Sequence, residues 1–184
     1  MSTVETNIEF RYAAPDDAET VRALVERAYR GLDNAGAWDS ERHLLTGPRT
    51  TLAEVTQLIS DPSSRIVTAW RAEGMIGSAL IQRSGDTACS ARSDAAYFGL
   101  FAIDPSARAG GLGKILLAEC ERRAASLWNS PAMSLTVISA REALIEWYER
   151  RGYRRTGARL PFPFSDTSGE TRRDFDLVEL IKAL

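Results

Sequence analysis

Between Ile103 and Leu117 the chain reads IDPSARAGGLGKILL. An apolar, β-like run ends at Ile103, Pro105 follows, and an apolar helical pattern starts directly after the glycines. Gly110, Gly111 and Gly113 sit in the junction, with Arg108 before them and Lys114 after. The first amides of a helix have no partner within it, and that end carries the positive pole of the dipole. Glycines permit positive φ and let a bulky anion approach the main chain. With two cations beside them, Arg108, Ala109, Gly110, Gly111, Leu112, Gly113 and Lys114 describe a cradle for a diphosphate.

Three phosphate-binding patterns compete for this turn. A P-loop needs Gly, four residues, then Gly-Lys-Ser/Thr; here Arg108 stands five before Gly113 and Ile115 follows Lys114. The dinucleotide fingerprint G-x-G-x-x-G meets Leu116 where its third glycine belongs, and it lacks an acid roughly 20 residues on. An Arg/Gln-x-x-Gly-x-Gly/Ala turn between strand and helix fits without a gap, on Arg108, Gly111 and Gly113. A glycine turn that holds no ligand is the alternative, and the surrounding elements must decide.

Those elements follow from periodicity. Ile8, Phe10 and Tyr12 alternate with polar residues, which predicts a strand. Pro15-Asp16-Asp17 opens a helix with an apolar stripe of Ala18, Val21, Leu24, Val25 and Ala28. Gly31 to Thr50 has no clear period, as in a lid, a binding loop or a stretch that hides a short helix. Thr51 to Ser60 is a short helix, stopped by Asp61-Pro62. Arg65–Arg71 and Met75–Arg83 form a hairpin turned at Glu73-Gly74, and Ser84 to Ser93 is a polar loop. Ala95–Ile103 is a strand, and its Gly99 marks a bulge or a close approach. The helix after the glycine turn runs to Trp128. A strand Met133–Ile138, a helix Arg141–Arg151 and a strand Tyr153–Arg159 follow. A loop over Leu160–Arg173 and a strand Phe175–Ile181 close the chain. The order β-α-α-β-β-β-α-β-α-β-β, with no repeat or linker, predicts one α/β domain over residues 1–184 with a mixed sheet.

Bulk properties narrow the function. A net charge of −2 and a pI near 5.6 give no electrostatic case for nucleic acid. No apolar run approaches the roughly 20 residues that span a bilayer, and Met1–Glu9 has no signal-peptide character. Cys89 and Cys120 have no metal spacing, so no metal is expected and two reduced thiols in a cytoplasmic protein are.

The glycine turn, the preceding YFGLFAIDP and the downstream REALIEWYERRGYRRTG together resemble the GCN5-related N-acetyltransferases, the GNAT family. The two motifs lie about 35 residues apart, as that family expects, and the likeness runs from Ile8 to Leu184. The resemblance implies the GNAT fold, a mixed central sheet whose fourth and fifth strands splay apart. It implies acetyl-CoA as co-substrate, its pyrophosphate on the Arg108–Lys114 turn and its pantetheine arm along Phe101, Ala102 and Ile103. Two departures stand out: Arg141 occupies the start of the fourth helix, where relatives often carry Asn, and Leu144 and Trp147 replace an Ala/Leu pair. Arg141 is still expected beside the coenzyme.

The implied reaction is attack of a primary amine, on a small molecule or a peptide, upon the thioester. A bulge at Gly99 would free backbone groups of Phe101 and Ile103, with an amide near Leu100 or Phe101 facing the thioester oxygen. Tyr148 matches the tyrosine that donates a proton to the coenzyme sulfur; its other reading is a core tyrosine with a satisfied hydroxyl. For the base, Asp94, Glu41 and His43 are the candidates. The acceptor is expected between the loops Gly36–Thr50 and Leu160–Asp166. There Trp38, Phe162 and Phe164 would shape an apolar wall, Asp39, Glu41 and Asp166 would attract a cationic amine, and His43 and Tyr97 are further candidates for contact with the substrate. A non-catalytic acyl-CoA-binding module is the alternative function, and a homodimer through the C-terminal strand is left open.

Overall fold

The computed structural model describes residues 7–31, 43–83, 94–108, 110–164, 169 and 173–184. β1 (Glu9–Tyr12), α1 (Ala18–Arg30) and α2 (Leu52–Ser60) come first, then β2 (Ser64–Arg71), β3 (Gly74–Gln82) and β4 (Ala95–Ile103). α3 (Leu112–Trp128), β5 (Ala132–Ile138), α4 (Glu142–Glu149), β6 (Arg154–Leu160) and β7 (Leu177–Ala183) complete the order. The seven strands form one sheet, β1-β2-β3-β4-β5-β7-β6, antiparallel except for β4 and β5. The mixed α/β order is the one the sequence predicts.

Local chemistry sets the element ends. Pro15 opens a separate 3-10 turn, Pro15–Asp17, rather than α1 itself. The Asp17 carboxylate accepts from the Ala14 amide at 2.8 Å and pairs with Arg11 at 2.6 Å. Thr51 caps α2 through the Glu54 amide, while the Glu54 carboxylate accepts from the Thr51 amide. The last strand starts two residues later than the periodicity suggests. Phe175 does not join it; its ring stacks with Phe162 and Phe164, centroids 5.1 and 5.3 Å away.

Helices cover both faces of the sheet. Leu116, Leu117 and Cys120 of α3 pack on Met133, Leu135, Val137 and Leu180. On the other face Val21, Leu24 and Val25 of α1 pack on Ile66, Leu80 and Ala102. β4 joins the two faces by changing phase. Ala96 and Phe98 face the α3 side, yet so do Phe101 and Ile103, while Leu100 and Ala102 face α1. An extra residue causes this. Ser78 and Leu80 of β3 oppose Ala102 and Gly99, so Leu100 and Phe101 together face the one residue between them. Leu100 takes φ +44°, outside the range a branched residue prefers. A bulge of this kind swaps the faces of every residue beyond it.

Burial raises the Cys120 thiol and the Tyr148 and Tyr153 hydroxyls above their ordinary ranges. An unfolded chain releases these protons from about pH 8.5 for the thiol and about pH 10 for tyrosine. The folded chain holds them longer. Its stability is therefore full below about pH 8.5 and falls as pH rises, by up to about 1.4 kcal/mol per unit per group. Cys120→Ala should lower urea-unfolding stability at neutral pH by about 1 kcal/mol, through a small cavity. It should also flatten the decline between about pH 8.5 and 10. Equal slopes in the two proteins would remove the thiol from this account.

Candidate active site

β4 and β5 pair only over Ala95–Ala132, Ala96–Met133 and Tyr97–Ser134. Beyond Tyr97, β4 stays with β3 and β5 stays with β7, so the sheet splits. Two cavities meet at that split. The first, of about 200 Å³, is lined by Arg108, Gly111, Gly113 and Lys114 at one end and by Phe101, Trp147 and Tyr148 at the other. The second, of about 340 Å³, is lined by Gly99–Phe101 of β4, Leu135–Ile138 of β5 and the Phe162 loop. Tyr29, Phe101, Arg141, Leu144 and Tyr148 belong to both.

At the first cavity the chain turns through Gly110 (φ +97°) and Gly111 (φ +75°) into α3. These angles are strained for residues with a side chain, and a Cβ at either position would meet nothing within 4 Å. The glycines thus serve the backbone turn and leave its outer side open. The first bond into the helix runs from the Ile115 amide to the Gly111 carbonyl at 3.2 Å. The amides of Leu112, Gly113 and Lys114 precede it and point out of the helix end. A Cβ on Gly113 would touch the rings of Phe101 at 3.4 Å and Trp147 at 3.6 Å, so this glycine keeps the cavity wide.

A row of rings fixes α4 against β4. Phe98 and Phe101, brought to one face by the bulge, lie 5.3 Å apart. Phe101 contacts Trp147 at 6.0 Å, and Tyr148 meets Phe98 at 6.5 Å and Tyr153 at 5.6 Å. Tyr148 is 4% exposed, and its hydroxyl donates to no described residue. Burial pushes that hydroxyl well above the usual tyrosine range, and Tyr29 adds to the effect. Arg141 draws it part of the way back. It remains a proton carrier throughout the neutral range.

A split sheet with a bulged β4, a helix start and a buried tyrosine thus meet at one junction. A profile of the acetyltransferase (GNAT) family matches residues 18–153. The chain belongs to that family. It is accordingly an acyltransferase. No curated protein matches its sequence. Solved structures share its fold at low identity. The spermidine/spermine N-acetyltransferase SpeG of Vibrio cholerae is 15% identical, with 96% of this chain and 92% of that one covered, at a TM-score of 0.63. A protein assigned as a phosphinothricin N-acetyltransferase is 18% identical over 97% and 99% of the chains, at 0.68. A protein assigned to the GNAT acetyltransferases from Desulfovibrio desulfuricans is 19% identical over 96% and 99%, also at 0.68. At such identities the likeness speaks for the fold alone.

In this acetyltransferase Phe101, Ile103, Arg108, Gly111, Gly113, Lys114, Arg141 and Tyr148 come together around the first cavity. Leu112 is 1% exposed with its side chain in the core, so only its main chain reaches the turn. Ala102 likewise points into the α1-side core. Tyr97 and Phe162 line the second cavity. His43 is exposed and outside both linings, and Asp94 precedes Gly99 by five residues, about 17 Å of extended strand. Trp38, Asp39, Glu41, Ala109 and Asp166 lie outside the described residues.

Two expectations change. The bulge turns at Leu100, not at Gly99. Gly99 is required for another reason: a Cβ there would stand 2.8 Å from the Tyr97 ring, which crosses it toward Thr136. Nor is the bulge carbonyl of Phe101 left free, because it accepts from the Tyr29 hydroxyl at 2.9 Å. Tyr29 escaped the sequence reading because it ends an ordinary apolar helix stripe. Arg151 escaped it as the second of two consecutive arginines after Glu149, with Arg154 and Arg155 close behind and offering no contrast; its guanidinium lies 3.4 Å over the Trp147 ring and lines the first cavity.

The Tyr29–Phe101 bond ties α1 to the bulge. Tyr29→Phe leaves that carbonyl without its donor and should cost about 1–3 kcal/mol in urea unfolding. A loss below about 0.5 kcal/mol would mean that solvent takes the donor's place.

Proposed function

We propose that this acetyltransferase moves the acetyl group of acetyl-CoA to a primary amine of a small molecule or peptide, within one domain over residues 1–184. The observation that carries this reading is the junction itself: Tyr148 and Phe101 border both cavities, one cationic and open to a helix start, the other between the splayed strands. The first cavity suits a diphosphate. Three helix-start amides, the Gly110–Gly111 turn, Arg108 and Lys114 supply donors and charge. Phe101, Leu144 and Trp147 suit an apolar arm leading inward.

When bound there, the coenzyme presents a thioester at the split. The amine enters from the second cavity. Its nitrogen bonds to the acyl carbon, the carbon–sulfur bond breaks, and the amine gives up a proton. Tyr148 supplies the proton that the departing sulfur needs, since its hydroxyl is protonated and donates to no described residue. Main-chain amides at the Leu100 bulge are the oxyanion donors in this reading.

Arg108→Glu puts like charge beside the diphosphate and should raise the dissociation constant for CoA by roughly 100-fold in calorimetry, a loss of about 2.7 kcal/mol. Unchanged affinity rejects the cradle. Tyr148→Phe should cut turnover by roughly 100-fold in a thiol-release assay while CoA affinity holds. Full turnover in that variant would move the proton donor elsewhere. Tight CoA binding with no thiol release for any amine would favour a binding module over an enzyme.

A further inference from the structure

The first cavity is bordered by a cation that the diphosphate cradle does not use. Arg151 follows the end of α4, where its main chain is fixed. Its amide donates to the Tyr148 carbonyl at 2.8 Å, and Gly152 (φ +91°) turns the chain away. Cations suit the carbonyl end of a helix, and the arginines nearby meet acids in the ordinary way. Arg150 pairs with Glu146 at 3.6 Å, and Arg155 pairs with Glu149 at 2.9 Å.

Arg151 turns toward the cavity instead. Its Nη1 donates to the Trp147 carbonyl at 2.5 Å, and its guanidinium lies over the Trp147 ring, 3.4 Å from the centroid. Its Nε is enclosed and meets no partner, and among the described residues no carboxylate pairs with it. Burial draws its pKa below the ordinary arginine value; Arg150 adds to that and Tyr148 works against it. The group keeps its charge all the same, so an anion beside it offsets the desolvation. Trp147 also ties this cation to the cradle: the indole stands 3.6 Å from where a Cβ of Gly113 would be, in the turn that opens α3. Arg151 is thus a second positive point on the same cavity, outside the amide turn.

Coenzyme A carries phosphate at two places on one ribose, a diphosphate on the 5′ oxygen and a single phosphate on the 3′ oxygen. In the reading above, the diphosphate takes the α3 amides, Arg108 and Lys114. The 3′-phosphate lies within a ribose's width of it and needs a donor of its own. We propose that Arg151, seated on Trp147, holds the 3′-phosphate, so that this acetyltransferase distinguishes coenzyme A from its 3′-dephospho form. The proposal rests on the acetyl-CoA reading and adds the residue that recognises this phosphate. One Nη1 donor is committed to the Trp147 carbonyl, which leaves the Nη2 side of the fork for phosphate oxygens. An arginine that only packed on Trp147 would serve both forms of the coenzyme alike.

Titration calorimetry on the full chain compares CoA with 3′-dephospho-CoA, first in the unaltered protein and then in Arg151→Gln and Arg151→Lys. The variants are compared at equal folded fraction, read from thermal melts. The unaltered protein should bind CoA roughly 10-fold or more tightly than dephospho-CoA. Arg151→Gln should bring that ratio to within about 3-fold of unity by weakening CoA alone, and Arg151→Lys, which keeps the charge without the fork, should restore part of it. Equal affinity of the unaltered protein for the two forms overturns the proposal with no variant needed. So does a ratio that survives Arg151→Gln, or a variant that weakens both forms alike; coenzyme binding then still stands. If neither form binds the unaltered protein, the coenzyme reading itself falls, and this proposal with it.

Discussion

A β-strand can hydrogen-bond along both edges only while its side chains keep strict alternation and its neighbours keep pace. β4 gives this up at Leu100, where two residues face one on β3. Up to Tyr97 the strand is central, paired with β3 and β5; beyond the bulge it is paired on one side. The same extra residue brings Phe98 and Phe101 to one face, and their rings seat Trp147 and Tyr148 of α4. One irregularity thus makes the opening and also the wall that keeps it open. The strain at Leu100 is held by its surroundings: Tyr29 binds the next carbonyl, and both flanking segments stay in register with β3.

Charge is distributed along this opening in an order that follows the elements. Arg108 and Lys114 come with the turn into α3, Arg141 with the start of α4, and Arg30 and Arg49 with the end of α1 and the approach to α2. Arg141 borders both cavities and tempers the Tyr148 hydroxyl. Exposed ion pairs elsewhere, such as Arg122–Glu119 on α3 at 2.8 Å, add little to stability.

Much of the fold was legible because its determinants are local. A continuous apolar run located β4 to the residue, an apolar stripe stopped by Asp61-Pro62 bounded α2, and the glycine turn announced the start of α3. The C-terminal strand starts at Leu177 and not at the expected Phe175, because the contact of Phe175 with Phe162 overrides the alternation it satisfies. That Arg108, Gly111, Gly113 and Lys114 share one lining was legible for the same local reason. The second cavity was not. Tyr29, Arg30, Arg49 and Thr136 carry no spacing that links them; only the register of β5 and the return of α1 to the bulge bring them to one space. Nor does sequence reveal that Tyr97, not the bulge, is what demands glycine at position 99.

The proposed chemistry places a particular demand on Tyr148. A free tyrosine ionises near pH 10 and a thiol near about 8.5, so complete transfer from tyrosine to a thiolate is already uphill by about 2 kcal/mol. Burial moves the hydroxyl further in the unfavourable direction. Arg141 and Arg151, on either side of α4, oppose that shift. A full negative charge on Tyr148 is therefore affordable only if another proton arrives as its own departs. In the proposed reaction the attacking amine carries one that it must lose in the same event, and Tyr148 borders the cavity which that proposal gives to the amine. A tyrosine that reaches both cavities can pass its proton to sulfur while drawing one from the acceptor side. The proposed role is thus consistent with its place at the junction, where it borders both cavities.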